Sequence, residues 1–114
     1  MRFYRDLYVT DDIADKTSRI VWKIKHNAGQ INIYVITLSA NEQNLFDIIP
    51  SQELMQKFYP KRQLYVVGFA RGREAAMELA GRMVMDVYAA TKSFDVRSFF
   101  LETKDKRKVR MGCQ

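Results

Sequence analysis

Two stretches of this 114-residue chain are apolar on both sides of a would-be strand. Over residues 31–39, Ile31, Ile33 and Val35 alternate with Tyr34, Ile36 and Leu38; over residues 63–70, Leu64 and Val66 oppose Tyr65, Val67 and Phe69. A strand with one solvated face carries polar residues at every second position, so two such strands demand a sheet covered on both sides. The chain must therefore bring helices, other segments or a second chain to each face.

One long helix is legible. Ala75, Ala76, Leu79, Ala80, Met83, Val84, Val87 and Tyr88 form one stripe at the 3.6-residue period, with Glu74, Glu78, Arg82 and Asp86 on the far side. Glu78 and Arg82 have i,i+4 spacing, and the small residues Ala76, Ala80 and Gly81 let such a helix lie close on a sheet. It covers one face. Cover for the other comes from segments 41–59 and 94–101, from the N-terminal residues or from another copy.

Residues 18–25 alternate, with Ile20, Trp22 and Ile24 on one side, which reads as a strand. Asn27 and Gly29 supply a turn, and the two strands on either side form a predicted hairpin. A short strand over residues 6–10 precedes them, joined by an acidic loop containing Asp11, Asp12 and Asp15. Asn41 reads as a helix cap, with Pro50 stopping that helix. Residues 51–58 read as a short helix with Leu54, Met55 and Phe58 inward, and Asp95 as the cap of a last helix burying Val96, Phe99 and Phe100. The expected fold is α+β: a mainly antiparallel three- to four-stranded sheet packed against one long amphipathic helix, with short extra helices. Residues 1–102 make one domain and residues 103–114 a basic tail without apolar periodicity, expected to be disordered.

The segment from Trp22 to Gly29 (WKIKHNAG), the run from Ile33 to Leu38 (IYVITL) and the run from Val67 to Gly72 (VGFARG) resemble a small family of uncharacterised proteins from Gram-positive bacteria. The resemblance spans roughly residues 4–101. It implies a compact bacterial domain and carries no activity, cofactor or site residue with it.

Composition narrows the function classes. Apolar residues make 47% and charged residues 28%, which excludes a disordered chain or a collagen-like one, and the single Cys113 excludes a disulfide scaffold. The longest uncharged run, residues 26–41, is too polar for a membrane span, and the N-terminus is charged where a signal peptide is apolar. A cytoplasmic protein with no membrane association is expected. The net charge of +6 belongs largely to the tail, where Lys104, Lys106, Arg107, Lys108 and Arg110 face Asp105 alone.

No nucleophile elbow or metal-ligand spacing is visible, so no catalytic residue, metal or cofactor is assigned. His26, the one histidine, has no neighbouring carboxylate to orient it as a base, and the three aspartates lack the calcium-loop pattern. Three interaction readings follow. The favoured one is a non-catalytic, self-associating module, a homodimer formed on the second sheet face through Tyr34, Ile36, Leu38, Tyr65, Val67 and Phe69. The second is a nucleic-acid accessory protein, with Tyr34, Tyr65 and Phe69 stacking bases while Lys23, Lys25 and the five basic tail residues contact phosphates. The third is an enzyme or sensor taking an anionic ligand at the strand-to-helix turn, through Gly68, Arg71, Gly72 and Arg73.

Overall fold

The computed structural model describes residues 1–39, 44–56 and 63–101. Its elements are β1 (Arg2–Val9), a 3₁₀ segment (Asp11–Lys16) running into α1 (Thr17–Lys25), β2 (Ile33–Leu38), β3 (Phe46–Pro50), a second 3₁₀ segment (Ser51–Met55), β4 (Tyr65–Arg71) and α2 (Arg73–Thr91). A last helix, α3, spans residues 96–101. The four strands form one sheet in the order β1-β4-β2-β3. β2 runs antiparallel to both β3 and β4, while β1 pairs parallel with β4, so the sheet is mixed. The fold is α+β, as its two-sided strands and single long helix require.

Residues 18–25 correct the strand reading. They form α1, whose buried residues are Ile20 and Ile24, while Trp22 is 55% exposed. Alternation over eight residues satisfies either period when the apolar positions are i, i+2 and i+4. Here i and i+4 alone are buried, as on a helix. The predicted hairpin therefore does not form. β2 pairs instead with β3, in a stretch read as helical. Pro50 does not stop a helix; it closes β3 at the sheet edge, where a missing N–H forfeits no ladder bond. Asn41 and Phe58 lie outside the described residues.

Both faces are covered by the chain itself. Beneath α2 and α3 lie Tyr4, Ile36, Leu38, Tyr65, Val67 and Ala70, packed against Ala76, Leu79, Met83, Val87, Val96 and Phe100. On the opposite face Ile33, Val35, Ile49, Val66 and Phe69 meet Ile13, Ile20, Ile24 and Leu54 from the 3₁₀ segments and α1. The α3 cap is as expected: the Ser98 amide and hydroxyl donate to the Asp95 carboxylate at 3.2 and 2.7 Å.

Phe69 departs from the simple alternation. Ile36 pairs with Gly68 but Thr37 pairs with Val66, so one extra residue, Val67, is inserted in β4. The bulge turns Phe69 to the face opposite Val67. Gly68 is fixed by the crowding there. A Cβ at this position would stand 2.5 Å from the Tyr8 carbonyl oxygen and 2.7 Å from the Met83 methyl. The Tyr8 hydroxyl in turn donates to Asp86 of α2 at 2.8 Å, and burial, reinforced by that bond, holds its pKa well above the tyrosine range.

Candidate functional site

The charged side chains of α1 follow from its helical geometry. Residues three, four and seven apart share a helix surface, so Arg19 and Lys23 line up along one edge of α1, beside the buried Ile20 and Ile24, with Lys16, the residue that leads into the helix, at its N-terminal end. Opposite that edge, residues 26–32 return to the sheet. Gln30 of this connection is buried; its side-chain amide reaches the Ile20 carbonyl at 3.4 Å, and its own carbonyl accepts from Gln52 at 3.5 Å. Asn27 and Asn32 both adopt positive φ, which asparagine tolerates better than most residues. The connection ends against the start of α2, where the Gly72 amide donates to the Asn32 carbonyl at 2.8 Å. Gly72 itself has φ 91°, open to glycine at little cost.

Between these parts lies a cleft of about 330 Å³. Lys16 lines it from the end of the first 3₁₀ segment, Arg19 and Lys23 from α1, Gly29, Gln30 and Ile31 from the connection, and Arg71 from the end of β4. Its lining contains four cationic side chains and no carboxylate, imidazole or thiol. Asp11, Asp12 and Asp15 stand on the preceding 3₁₀ segment and do not line it. Among the described residues, none of the four cations has a carboxylate or carbonyl partner. Ile31, at 88% exposure, stands open at the rim.

The sequence-based candidates are dispersed. Of the turn residues, Arg71 alone reaches the cleft. Gly68 is buried within β4 and not in the turn, the Gly72 amide is taken by Asn32, and Arg73 is an exposed first residue of α2. Five of the six sheet-face residues are buried, and the sixth, Tyr34, is half-buried against the α2 core. Ile36, Leu38, Tyr65 and Val67 are buried under α2 and α3, with Tyr34 packed beside them, and Phe69 is buried under the α1 layer. Tyr65 and Phe69 are thus core aromatics that cannot stack bases without unfolding, Tyr34 packs half-buried against the α2 core, and self-association through the sheet loses its motive. Lys104, Lys106, Arg107, Lys108 and Arg110 lie outside the described residues. Lys25 sits over the Phe3 ring at 5.4 Å, away from the cleft lining.

A second concavity, of about 310 Å³, lies between the end of β2 and α3. Its one cation, Arg97, is bonded to the Ser39 carbonyl, so this hollow is tied up by the fold. No helix among the described residues is long and apolar enough to cross a membrane. The chain matches no protein-family model, curated protein or solved structure.

Sequence reasoning missed Lys16 and Arg19 for one cause. Read as a loop and a strand, Arg19 and Lys23 share a solvated face but Lys16 has no fixed place beside them; read as a segment winding into a helix, the three form a row. The usable signal was the wider spacing Ile13, Ile20, Ile24, which follows the helical period and not the period of two.

Proposed function

We propose that the chain is a non-catalytic binding module that takes a phosphate-bearing ligand in the cleft between α1, the 26–32 connection and β4. The observation that carries this reading is the convergence of Lys16, Arg19, Lys23 and Arg71, from three separate elements, on one concavity whose wall holds no carboxylate. Like charges crowded in this way repel one another, and an anion relieves that repulsion while taking charge-assisted hydrogen bonds from the lysine and arginine heads. Low-dielectric walls on two sides focus the positive field into the cleft. The reading replaces the turn at residues 68–73 with a site built largely from α1 and keeps Arg71 as the shared member.

The test is a titration of the full chain with inorganic tripolyphosphate, followed by amide NMR. Shifts are expected to cluster at residues 16–23, 29–33 and 71, and to weaken as salt rises. Replacing Arg19, Lys23 and Arg71 by glutamine should lower affinity about tenfold or more, since each tenfold step corresponds to about 1.4 kcal/mol and charged hydrogen bonds contribute about that much each. Shifts confined to residues 103–114 would overturn the assignment.

A further inference from the structure

We infer that the phosphate-bearing ligand of this cleft is a single-stranded nucleic acid, with Trp22 and His26 serving as its base-stacking platform; the inference rests on the cleft being an anion site.

Trp22 is an anomaly on a helix whose other large apolar residues, Ile20 and Ile24, are buried: it is 55% exposed. Its ring is nevertheless held in place. The His26 imidazole stacks on it with centroids 4.2 Å apart and planes 18° apart, and His26 Nδ1–H donates to the Trp22 carbonyl at 2.8 Å. A parallel aromatic pair fixed in this manner is a preformed platform for a further flat ring, and little ordering remains to be done when one arrives.

The platform and the cleft are neighbours on α1. Trp22 is three residues beyond Arg19 and four before His26, and side chains at those spacings touch along a helix surface. The row Lys16, Arg19, Trp22, His26 thus passes from cations at the cleft to stacked rings beside it, with Lys23 completing the cationic end. A nucleotide presents the same pair of groups, a phosphate and a flat base joined by one sugar. In a duplex the base faces are already stacked on one another, so only an unpaired base can use the platform. Ile31 at the cleft rim offers a second apolar contact. An anionic lipid surface would also favour cations beside exposed Trp and Ile. The cations here line a hollow, however, where a polymer strand can enter and a flat bilayer cannot.

Trp22 is the chain's one tryptophan, so its fluorescence reports on this platform alone. The full chain is titrated at low salt with a twelve-nucleotide oligothymidylate, a duplex of equal length, tripolyphosphate and vesicles containing phosphatidylserine. Saturable quenching by the single strand is expected, with tripolyphosphate competing but not quenching by itself. Trp22→Ala should weaken the oligonucleotide about tenfold, as loss of one base–aromatic stack does, with no change in tripolyphosphate affinity. Trp22→Tyr should retain most of the binding and guards against a folding defect in the alanine variant. Oligonucleotide binding without quenching, and unchanged in Trp22→Ala, would overturn this inference and leave the anion site standing. Tighter binding to vesicles than to the oligonucleotide would overturn it in favour of a lipid surface. If neither oligonucleotide nor tripolyphosphate binds, both readings fall.

Discussion

The two faces of the sheet are covered by different means. On one, the 19-residue α2 lays Ala76, Leu79, Met83 and Val87 in an unbroken row across the strands. α3 closes the end with Phe100, whose ring meets Tyr4 edge-on at 4.8 Å. On the other, the cover is assembled from a nine-residue helix, two 3₁₀ segments and the 26–32 connection. A long helix covers without seams, because its backbone groups are satisfied internally along most of its length. Short pieces each bring ends, polar backbone and charged residues to their junctions. The cationic cleft lies at such a junction, as does the buried Gln30, and the Ser51 hydroxyl at the start of the second 3₁₀ segment and the Thr37 hydroxyl within β2 find no partner among the described residues. The difference teaches where each property resides: close packing under α2, and recognition at the seams of the α1 layer.

The sharpest way to break that comparison is Gly68→Ala. The added methyl would meet a backbone oxygen of β1 and the Met83 methyl of α2, and the former cannot swing aside as a side-chain end can. Overpacking of this kind costs about 2–3 kcal/mol. For a domain of this size that corresponds to a fall in melting temperature of roughly 10 °C or more. The glutamine substitutions at Arg19, Lys23 and Arg71, by contrast, should each stay within about 0.5 kcal/mol of the parent, because Arg19 and Arg71 are exposed, Lys23 is half-buried, and none of the three has a carboxylate partner among the described residues. Chemical denaturation of both sets gives the answer. Should the cleft variants prove the more damaging, the cations stabilise the fold, and the division between the two faces is wrong.

The same contrast governs what could be read in the sequence. α2 was legible because nineteen residues contain five turns, and over five turns a period of 3.6 cannot be mistaken for one of 2. β2 and β4 were legible because β-branched and aromatic residues fill both of their sides. α1 is nine residues long, and its Ile20, Trp22 and Ile24 satisfy both periods. Only tertiary contact decides between them, since Ile20 and Ile24 need the sheet beneath them before Trp22 can face water. β3 was hidden by Pro50, a helix breaker by composition that an edge strand accommodates at its last residue. Half of the site went with α1. Arg71 was visible beside a glycine-containing turn, but the surface shared by Lys16, Arg19 and Lys23 exists only once the helix does.

A smaller effect sharpens the account of the α1 face. Thr37 is fully buried opposite Val66, immediately after the β4 bulge, and its hydroxyl has no hydrogen-bond partner among the described residues. A buried hydroxyl left unbonded costs about 1–3 kcal/mol relative to an apolar group of the same shape. Thr37→Val keeps the branching and removes the hydroxyl, so it should raise stability by about 1 kcal/mol, measured as a higher denaturation midpoint at unchanged slope. A loss of stability instead would show that the hydroxyl is bonded in solution and that the seams of this face are wetter than their packing implies.

The smallest expected effect concerns α3, the short piece that completes the α2 face. The Asp95 carboxylate accepts from the Ser98 hydroxyl and amide, and these bonds hold its pKa below the ordinary aspartate value. A pKa lowered by folding means that the unfolded chain binds the proton more tightly, so the ionised cap adds stability at neutral pH. That contribution is lost as pH falls through the folded-state value. Asp95→Ala should therefore melt slightly below the parent at neutral pH, and the gap should narrow as acid protonates the Asp95 carboxylate. The carboxylate is fully exposed, so the neutral-pH gap should be smaller than the shift produced by Thr37→Val. A gap that persists unchanged in acid would mean that the cap acts through local geometry and not through charge. A large gap would carry more weight. α3 would then be holding Val96 and Phe100 in the core, and the α2 face would depend on a short piece as heavily as the α1 face does.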